Sequence, residues 1–328
     1  MVGVRVKAAM AGGVAALTLL AACSSSKSSV TAGGSTATTA ATATTAGGTA
    51  TTAGGTATTA AGAAVIPAAT ADPAATALLP AAVKSKGSVT VALDATYAPD
   101  EMLGSDGKTV IGLDADLSNA LGQVLGLKVS LVNATFDTII PGLLSGKFDV
   151  GASSFTDTLA REKQVDFVTY FTAGEGYYVD ANSTASFNGL DSLCGHKVSV
   201  EAGTTEESDA QTQSKTCQTA GKPAVTVLSF QDQNAANLAV SSGRAELGFS
   251  DSQVAAYIVQ QSNGQFKLVG EPFSTAPYGI AVPKNGLGPA LLAGVKDLMS
   301  QGIYAKILDK WGVSAGAISN PVINGATS

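Results

Sequence analysis

Apolar and polar residues alternate after residue 87 in a pattern that predicts strands and helices in turn. At 88–93 the apolar residues fall on every second position, which is typical of a strand with one buried face. At 113–126 they recur every three or four residues, and Gly126 ends the run, which predicts a helix. The same reasoning predicts strands at 129–132, 148–152, 197–201, 225–228, 245–249 and 278–282, and helices at 138–145, 232–242, 252–261, 287–301 and 304–311. This alternation favours a parallel α/β sheet, whose ligands bind at the carboxyl ends of the strands.

The order of these elements predicts two lobes. A second set of strands and helices begins near residue 177, includes a helix that Thr205 caps, and ends where the strand at 278–282 returns to the first set. We therefore expect lobe 1 at 88–176 and 277–316, lobe 2 at 177–276, and a tail at 317–328. Two short crossings between lobes form a hinge, and a cleft between lobes is a favoured place for a small ligand.

The first residues predict export. Arg5 and Lys7 precede an apolar run at 8–20, which is shorter than the roughly 20 residues of a membrane-spanning helix and fits a secretory signal peptide at 1–22. The sequence Leu-Ala-Ala-Cys that ends at Cys23 resembles the lipobox of bacterial lipoproteins, which implies cleavage before Cys23 and a lipid on its sulfur. The alternative is an ordinary signal peptide with an incidental cysteine. The lipoprotein interpretation places the protein on the extracytoplasmic face of the cell membrane.

The segment between Cys23 and residue 87 predicts a disordered linker. It consists almost entirely of Thr, Ala, Gly and Ser, and the seven residues at 45–51 are repeated at 52–58. Because this repeat has no Leu, Ile or Val, it cannot form a coiled-coil seam. We therefore expect 23–87 to connect the lipid to the folded lobes.

Charge and composition exclude several classes of function. The formal net charge is 19 − 25 = −6, and loss of Arg5 and Lys7 makes it 17 − 25 = −8, which is unlike a nucleic-acid-binding protein. The single histidine, His196, belongs to no cluster of metal ligands, and no glycine-rich segment has the spacing of a nucleotide-binding loop. We expect no metal and no other cofactor.

Two cysteines remain once Cys23 is lipidated. Cys194 precedes the strand at 197–201, and Cys217 lies near the end of the following helix. Export favours a disulfide between them. The alternative is two separate buried thiols.

The most informative chemistry lies in a hydroxyl-rich loop before Arg161. The loop leaves a predicted strand and enters a short helix that Asp157 or Thr158 caps, so backbone N–H groups, hydroxyls and one guanidinium gather together. These donors suit a carboxylate, because arginine grips carboxylates through two parallel hydrogen bonds. The alternative is a surface turn in which Arg161 pairs with Glu162 or Asp166.

An ordered set of motifs over 88–313 resembles the extracellular solute-binding proteins of family 3, the polar amino-acid receptors of ABC importers. The matching blocks are Gly-Leu-Asp-Ala-Asp-Leu at 112–117, Thr-Phe-Asp-Thr-Ile-Ile-Pro-Gly-Leu-Leu-Ser-Gly-Lys-Phe-Asp at 135–149, Glu-Ala-Gly-Thr-Thr-Glu at 201–206, Tyr-Gly-Ile-Ala-Val-Pro-Lys at 278–284 and Lys-Ile-Leu-Asp-Lys-Trp-Gly at 306–312. The resemblance implies the type II periplasmic-binding-protein fold, in which each lobe is a mainly parallel sheet flanked by helices and the chain crosses the hinge twice.

The resemblance also implies how the main-chain ends of an amino acid are held. Arg161 binds the α-carboxylate, helped by Thr156 and by the N–H or hydroxyl of Thr204 from the other lobe. Asp251 binds the α-ammonium, with Ser154 as a further acceptor. From the residues alone, Asp251 is equally suited to cap the next helix.

The implied contacts of the ligand side chain are Tyr97 and Phe136 on its flanks and Asp94 at its far end. Alone, Tyr97 fits a loop anchor and Phe136 a core residue, and Glu206 either touches the ligand or caps a helix. Asp100 stands where the family has an aromatic residue or Met. An acidic far end repels glutamate and aspartate, so we expect a neutral polar or basic amino acid.

The sequence thus predicts a monomeric, lipid-anchored receptor that binds an amino acid and passes it to separate permease and ATPase subunits of an ABC importer. It predicts no catalytic residues. The alternatives are a periplasmic enzyme of the dehydratase type on the same fold and an amino-acid sensor module.

Overall fold

A computed structural model describes residues 65–327. The signal peptide at 1–22, lipidation of Cys23 and the first part of the linker lie outside the described residues. Within 65–327, no helix has the length and apolar character needed to span a membrane.

Eleven strands, ten α-helices and two short 3-10 helices, Leu190–Leu193 and Ser314–Gly316, form the described part of the chain. The strands are β1 (Ser88–Leu93), β2 (Thr96–Tyr97), β3 (Glu101–Leu103), β4 (Val110–Ile111), β5 (Lys128–Asn133), β6 (Val150–Gly151), β7 (Asp166–Asp180), β8 (Lys197–Glu201), β9 (Thr226–Phe230), β10 (Leu247–Asp251) and β11 (Phe266–Val282). The helices are α1 (Pro73–Ala77), α2 (Ala81–Lys86), α3 (Leu113–Leu125), α4 (Phe136–Leu144), α5 (Leu159–Glu162), α6 (Thr205–Thr219), α7 (Gln233–Ser241), α8 (Ser252–Gln261), α9 (Gly288–Ser300) and α10 (Ile303–Trp311).

Eight strands form one sheet in the order β5-β1-β6-β11-β7-β10-β8-β9. In lobe 1, β1 pairs in parallel with β5 and β6, and in lobe 2, β8 pairs in parallel with β9 and β10. β11 and β7 join these parallel groups through antiparallel pairs. The two-lobed α/β architecture with mainly parallel lobes is therefore confirmed.

Two long strands carry the chain between the lobes. β7 and β11 pair along most of their length, from Phe266 with Asp180 to Val282 with Asp166. The pairing is irregular between Val269 and Phe273 and again between Phe273 and Ala276. The strand predicted at 278–282 was too short, because the sequence pattern breaks where the irregular pairing bends β11 between the lobes.

Each lobe has its own core. In lobe 1, α3, α9 and α10 bury residues such as Leu117, Val295 and Ile307 against the sheet. In lobe 2, Val198 and Phe249 of the sheet pack with Cys217 of α6, which is 1% exposed. The predicted disulfide between Cys194 and Cys217 is present, with the two Cα atoms 5.6 Å apart, and it ties α6 to the segment before β8.

The prediction of a disordered linker is wrong for residues 65–87. The carboxylate of Asp72 caps α1 by accepting a bond from Ala74 N at 2.8 Å, and Asp72 N donates to Val124 O of α3 at 2.9 Å. Leu79 and Val83 are buried in the lobe-1 core together with Ala75. Such short helices gain their stability from packing, so the Ala-rich sequence did not reveal them.

The predicted tail lies along the edge of β7 in lobe 1. Thr169 N donates to Val322 O at 2.9 Å, and Asn324 N donates to Phe167 O at 2.8 Å. In lobe 2, this edge of β7 pairs with β10. In lobe 1 β10 does not reach it, and the tail covers the edge instead.

Candidate ligand-binding site

The loop after β6 places Arg161 in the first turn of α5. Of the two candidate caps, Thr158 is the one used, because its hydroxyl oxygen accepts a bond from Arg161 N at 3.2 Å. Asp157 instead accepts a bond from Gly325 N of the tail at 2.7 Å. The tail also reaches α5 itself, where Ala326 N donates to Glu162 Oε1 at 3.0 Å.

The guanidinium of Arg161 reaches across the cleft. Its Nη1 donates to Thr156 O at 2.7 Å in lobe 1, and its Nη2 donates to Gly203 O at 2.9 Å in lobe 2. The Cζ atom of the guanidinium lies 5.4 Å from the centre of the Phe136 ring. None of the ion pairs within residues 65–327 includes Arg161, and Asp166 pairs with Lys284. The surface-turn interpretation is therefore wrong.

Burial and nearby acids act in opposite directions on Arg161. Burial lowers the pKa of its guanidinium, and the charges of Glu206 and Asp251 partly offset that effect. Because its hydrogen bonds go to neutral carbonyl groups, its positive charge has no direct partner in the part of the chain that the structure describes. A ligand carboxylate is the anion that suits this position.

Lobe 2 contributes the N-terminus of α6. Thr204, not Thr205, is the cap, since its hydroxyl oxygen accepts from Glu207 N at 3.1 Å and donates to Glu201 O at 2.8 Å. The prediction failed by one residue because the chain turns at Gly203, whose φ of +81° favours glycine. The hydroxyl of Thr205 instead lies 3.3 Å from that of Thr156 across the cleft.

Asp251 ends β10 and faces lobe 1. Its Oδ2 accepts a bond from the Tyr97 hydroxyl at 2.8 Å, and Asp251 N donates to the same hydroxyl at 3.1 Å. Its side chain makes no capping bond to α8. Burial raises the pKa of Asp251 to about 6, although hydrogen bonds from Tyr278 and Tyr97 act in the opposite direction.

Ser154 lies on the lobe-1 wall with a left-handed φ of 49°. Its hydroxyl donates to Asp100 Oδ2 at 3.0 Å, so its oxygen lone pairs are the groups left for a ligand. Asp100 also accepts a bond from Gln253 Nε2 at 2.7 Å. Asp100 therefore lies behind Ser154, and it does not replace the aromatic wall of the resembled family.

Asp94 is held rigidly at the other end of the site. Its Oδ1 accepts from the hydroxyl of Thr96 at 2.7 Å, and its Oδ2 accepts from Phe136 N at 3.0 Å. Burial raises the pKa of Asp94, and these hydrogen bonds oppose the rise. Phe136 in turn stacks on Phe155 with ring centres 4.5 Å apart.

One cavity between the lobes brings these residues together. It is lined by all eight residues predicted to bind the ligand, and by four more: Ser153, Glu201, Thr205 and Glu206. Contact with a ligand stays a prediction for each of the eight.

Glu201 is the residue that sequence reasoning missed. Glu201 and Glu206 are 2% and 1% exposed, and the Oε1 atom of each has no hydrogen-bond partner among the described residues. Burial raises the pKa of both carboxyl groups well above the usual value. The motif at 201–206 was recognised, but its residue types did not reveal which side chains face the cavity.

Comparison with known proteins agrees with this geometry. The profile of the bacterial extracellular solute-binding proteins, family 3, matches residues 89–314. The chain belongs to this family. An arginine-binding protein, ArgT of Corynebacterium glutamicum, is 33% identical over 77% of this chain and 83% of its own length. A glutamine-binding protein, GlnH of Bacillus subtilis, is 30% identical over 61% of this chain and 72% of its own length.

Solved structures of amino-acid-binding proteins share the fold. An ancestral arginine-binding protein bound to arginine is 38% identical, with a TM-score of 0.63 over 69% of this chain and 98% of that protein. An ancestral amino-acid-binding protein that is a precursor of cyclohexadienyl dehydratase is 32% identical, with the same TM-score over 70% and 97% of the two chains. The similar proteins thus include binding proteins for arginine and glutamine and a precursor of an enzyme.

Proposed function

We propose that this family-3 protein is the receptor of an ABC importer for a basic amino acid. The charge of the cavity carries the proposal, because Arg161 is its only cation and four carboxyl groups line it. These are Asp94, Glu201, Glu206 and Asp251. A basic amino acid supplies two cations and one carboxylate, which balances these groups better than a neutral or acidic one.

The main-chain groups of the ligand match one end of the cavity. The α-carboxylate binds Arg161, helped by the hydroxyl of Thr156 and the N–H of Thr204. The Thr204 hydroxyl caps α6, which leaves the N–H for this role. The α-ammonium binds Asp251 and the hydroxyl oxygen of Ser154.

The ligand side chain extends between Tyr97 and Phe136 towards Asp94. An acidic side chain meets a fixed carboxylate there, which costs free energy in a buried site. A cationic side chain gains a charge-assisted hydrogen bond instead. Similarity to an arginine-binding protein supports a cationic ligand. Similarity to a glutamine-binding protein makes glutamine, with its neutral amide, the second candidate for the ligand.

The remaining parts of the proposal come from the sequence. A lipid on Cys23 anchors the receptor to the extracytoplasmic face of the cell membrane, and residues 24–64 link Cys23 to the folded lobes. The receptor acts as a monomer and delivers its ligand to separate permease and ATPase subunits.

A thermal-shift screen of the twenty amino acids tests the function. Ligand at about a thousandfold over Kd stabilises a protein by ~4 kcal/mol, which at ~2–4 °C per kcal/mol raises Tm by roughly 8–16 °C. We expect such a rise with a basic amino acid. No rise with any amino acid, together with turnover of a cyclohexadienyl acid, would support instead an enzyme of the dehydratase type, which the ancestral relative makes the second candidate.

A further inference from the structure

The carboxyl groups of Glu201 and Asp94 meet at one end of the cavity. Glu201 ends β8 in lobe 2, and Asp94 follows β1 in lobe 1. Both side chains line the cavity, and the nearby charge of Asp94 adds to the effect of burial in raising the pKa of Glu201. Closing the lobes therefore brings two acids from opposite sides to the same point.

Within residues 65–327, no hydrogen-bond donor pairs with the buried side-chain oxygen of Glu201. Its Oε1 is buried without a hydrogen bond, and the charged groups around it are the acids Asp94, Asp232 and Glu206. Only its backbone has a structural task, since its carbonyl accepts a bond from Thr204. A buried carboxyl group without a hydrogen-bond donor destabilises a protein. A cationic ligand in the cavity would supply the missing donor and the opposite charge.

Asp94 and Glu201 differ in how firmly they are held. Asp94 accepts three hydrogen bonds, two from Thr96 and one from Phe136 N. The Glu201 carboxyl group lacks such anchors, since its Oε1 is buried without a hydrogen-bond partner among the described residues. The site thus offers one fixed carboxylate and one that adjusts.

We propose that Glu201 is a specificity-determining residue that forms, with Asp94, a two-carboxylate clamp for the guanidinium of arginine. This inference rests on the proposed function and narrows it from basic amino acids to arginine. A guanidinium is planar and carries five N–H donors, so it bonds two carboxylates at once and stacks on an aromatic ring such as Phe136. The compact ammonium of lysine satisfies this arrangement less well.

Calorimetric titration of the wild type and Glu201→Gln with L-arginine, L-lysine and L-citrulline tests the clamp. Citrulline has the shape of arginine, but its urea group is neutral. We expect the wild type to bind arginine about a hundredfold more tightly than citrulline, in keeping with charge-assisted bonds to two carboxylates. Glu201→Gln should weaken arginine binding at least ~tenfold, change citrulline binding less than ~threefold, and narrow the preference for arginine over lysine.

Two further variants separate charge from folding. Glu271→Gln removes an exposed glutamate of lobe 2 and should leave all three affinities unchanged. Glu201→Asp keeps the charge on a shorter side chain and should retain part of the preference for arginine over citrulline. The empty Glu201→Gln protein should melt no lower than the wild type, because it loses an unpaired buried acid.

The outcomes distinguish failure of the proposed clamp from failure of the proposed receptor function. Tight arginine binding by the wild type with an unchanged ratio of arginine to citrulline in Glu201→Gln overturns the clamp and leaves the receptor intact. Failure of the wild type to bind any basic amino acid overturns the proposed function itself.

Discussion

The hydroxyl of Tyr97 in lobe 1 lies 2.8 Å from the Oδ2 atom of Asp251 in lobe 2. This bond joins the two walls of the cleft at the place proposed for the α-ammonium. Both groups are buried, at 6% exposure each. In the proposed binding mode, Asp251 exchanges a phenolic partner for a cationic one, so we expect its protonation state to control ligand binding.

Ligand binding should weaken in acid. Burial raises the pKa of Asp251 to about 6, so below this pH the ammonium must displace a proton. We expect the affinity to fall by up to about tenfold per pH unit below pH 6, as measured by calorimetry between pH 5 and pH 8. An affinity that is constant over this range would show that Asp251 does not bind the ammonium.

The stability of the empty protein should change in the opposite direction. The pKa of Asp251 is raised above its unfolded value, so its contribution is fully present below pH 3.8 and is lost as pH rises through about 6. Burial also raises the pKa of Asp157 to about 7 and that of Asp100 to about 8, which extends this loss towards pH 8. Scanning calorimetry of the empty protein should give a higher Tm at pH 5 than at pH 8.

Arg161→Lys should abolish most ligand binding without unfolding the protein. A lysine keeps the charge but loses the planar fork that grips a carboxylate, so we expect a loss of ~2 kcal/mol or more, about thirtyfold in Kd. Arg244→Lys is the matched control, because Arg244 lies over Phe230 outside the cavity. Normal ligand binding by Arg161→Lys would mean that the carboxylate binds elsewhere.

The disulfide should stabilise lobe 2. Cys194 and Cys217 close a loop with a sequence separation of 23, which contributes roughly 3 kcal/mol in the chain-entropy description. Replacing both by alanine should lower Tm by roughly 6–12 °C, at ~2–4 °C per kcal/mol. The wild type in reductant should show a similar fall, and intact-mass analysis should find no alkylatable thiol at either position before reduction.

The tail should support the Arg161 loop. Its residues Gly325 and Ala326 donate to Asp157, which precedes α5, and to Glu162, the last residue of α5. Deleting 320–328 should weaken ligand binding by ~1 kcal/mol, about fivefold in Kd, and lower Tm by ~2–4 °C. Deleting only 327–328 keeps both contacts and should change neither quantity. Wild-type affinity in the longer deletion would show that the tail only covers the edge of β7.

The sequence predicted the parts of the site that depend on strand order. Arg161 follows β6 of lobe 1 and Asp251 ends β10 of lobe 2, so each lies at the carboxyl end of a strand of its own lobe, where the ligands of such sheets bind. Motif order added Tyr97, Phe136 and Asp94. These three residues line the same cavity as Arg161 and Asp251.

Features decided by packing across the molecule were not predictable in this way. Glu201 is the last residue of β8, where the direction of a side chain depends on register with β9 and on closure of the lobes. The helices at 73–86 and the path of the tail depend on surfaces of lobe 1 that the local sequence does not contain. Local patterns carry little information about such contacts.

Calorimetric titration of the purified protein with L-arginine, L-glutamine and L-glutamate tests the central claim most directly. Asp94 is fixed at the far end of the cavity by bonds from Thr96 and Phe136 N, and Glu201 lies beside it. We predict that arginine binds most tightly, glutamine more weakly, and glutamate weakest of the three. Tightest binding of glutamate would contradict the account.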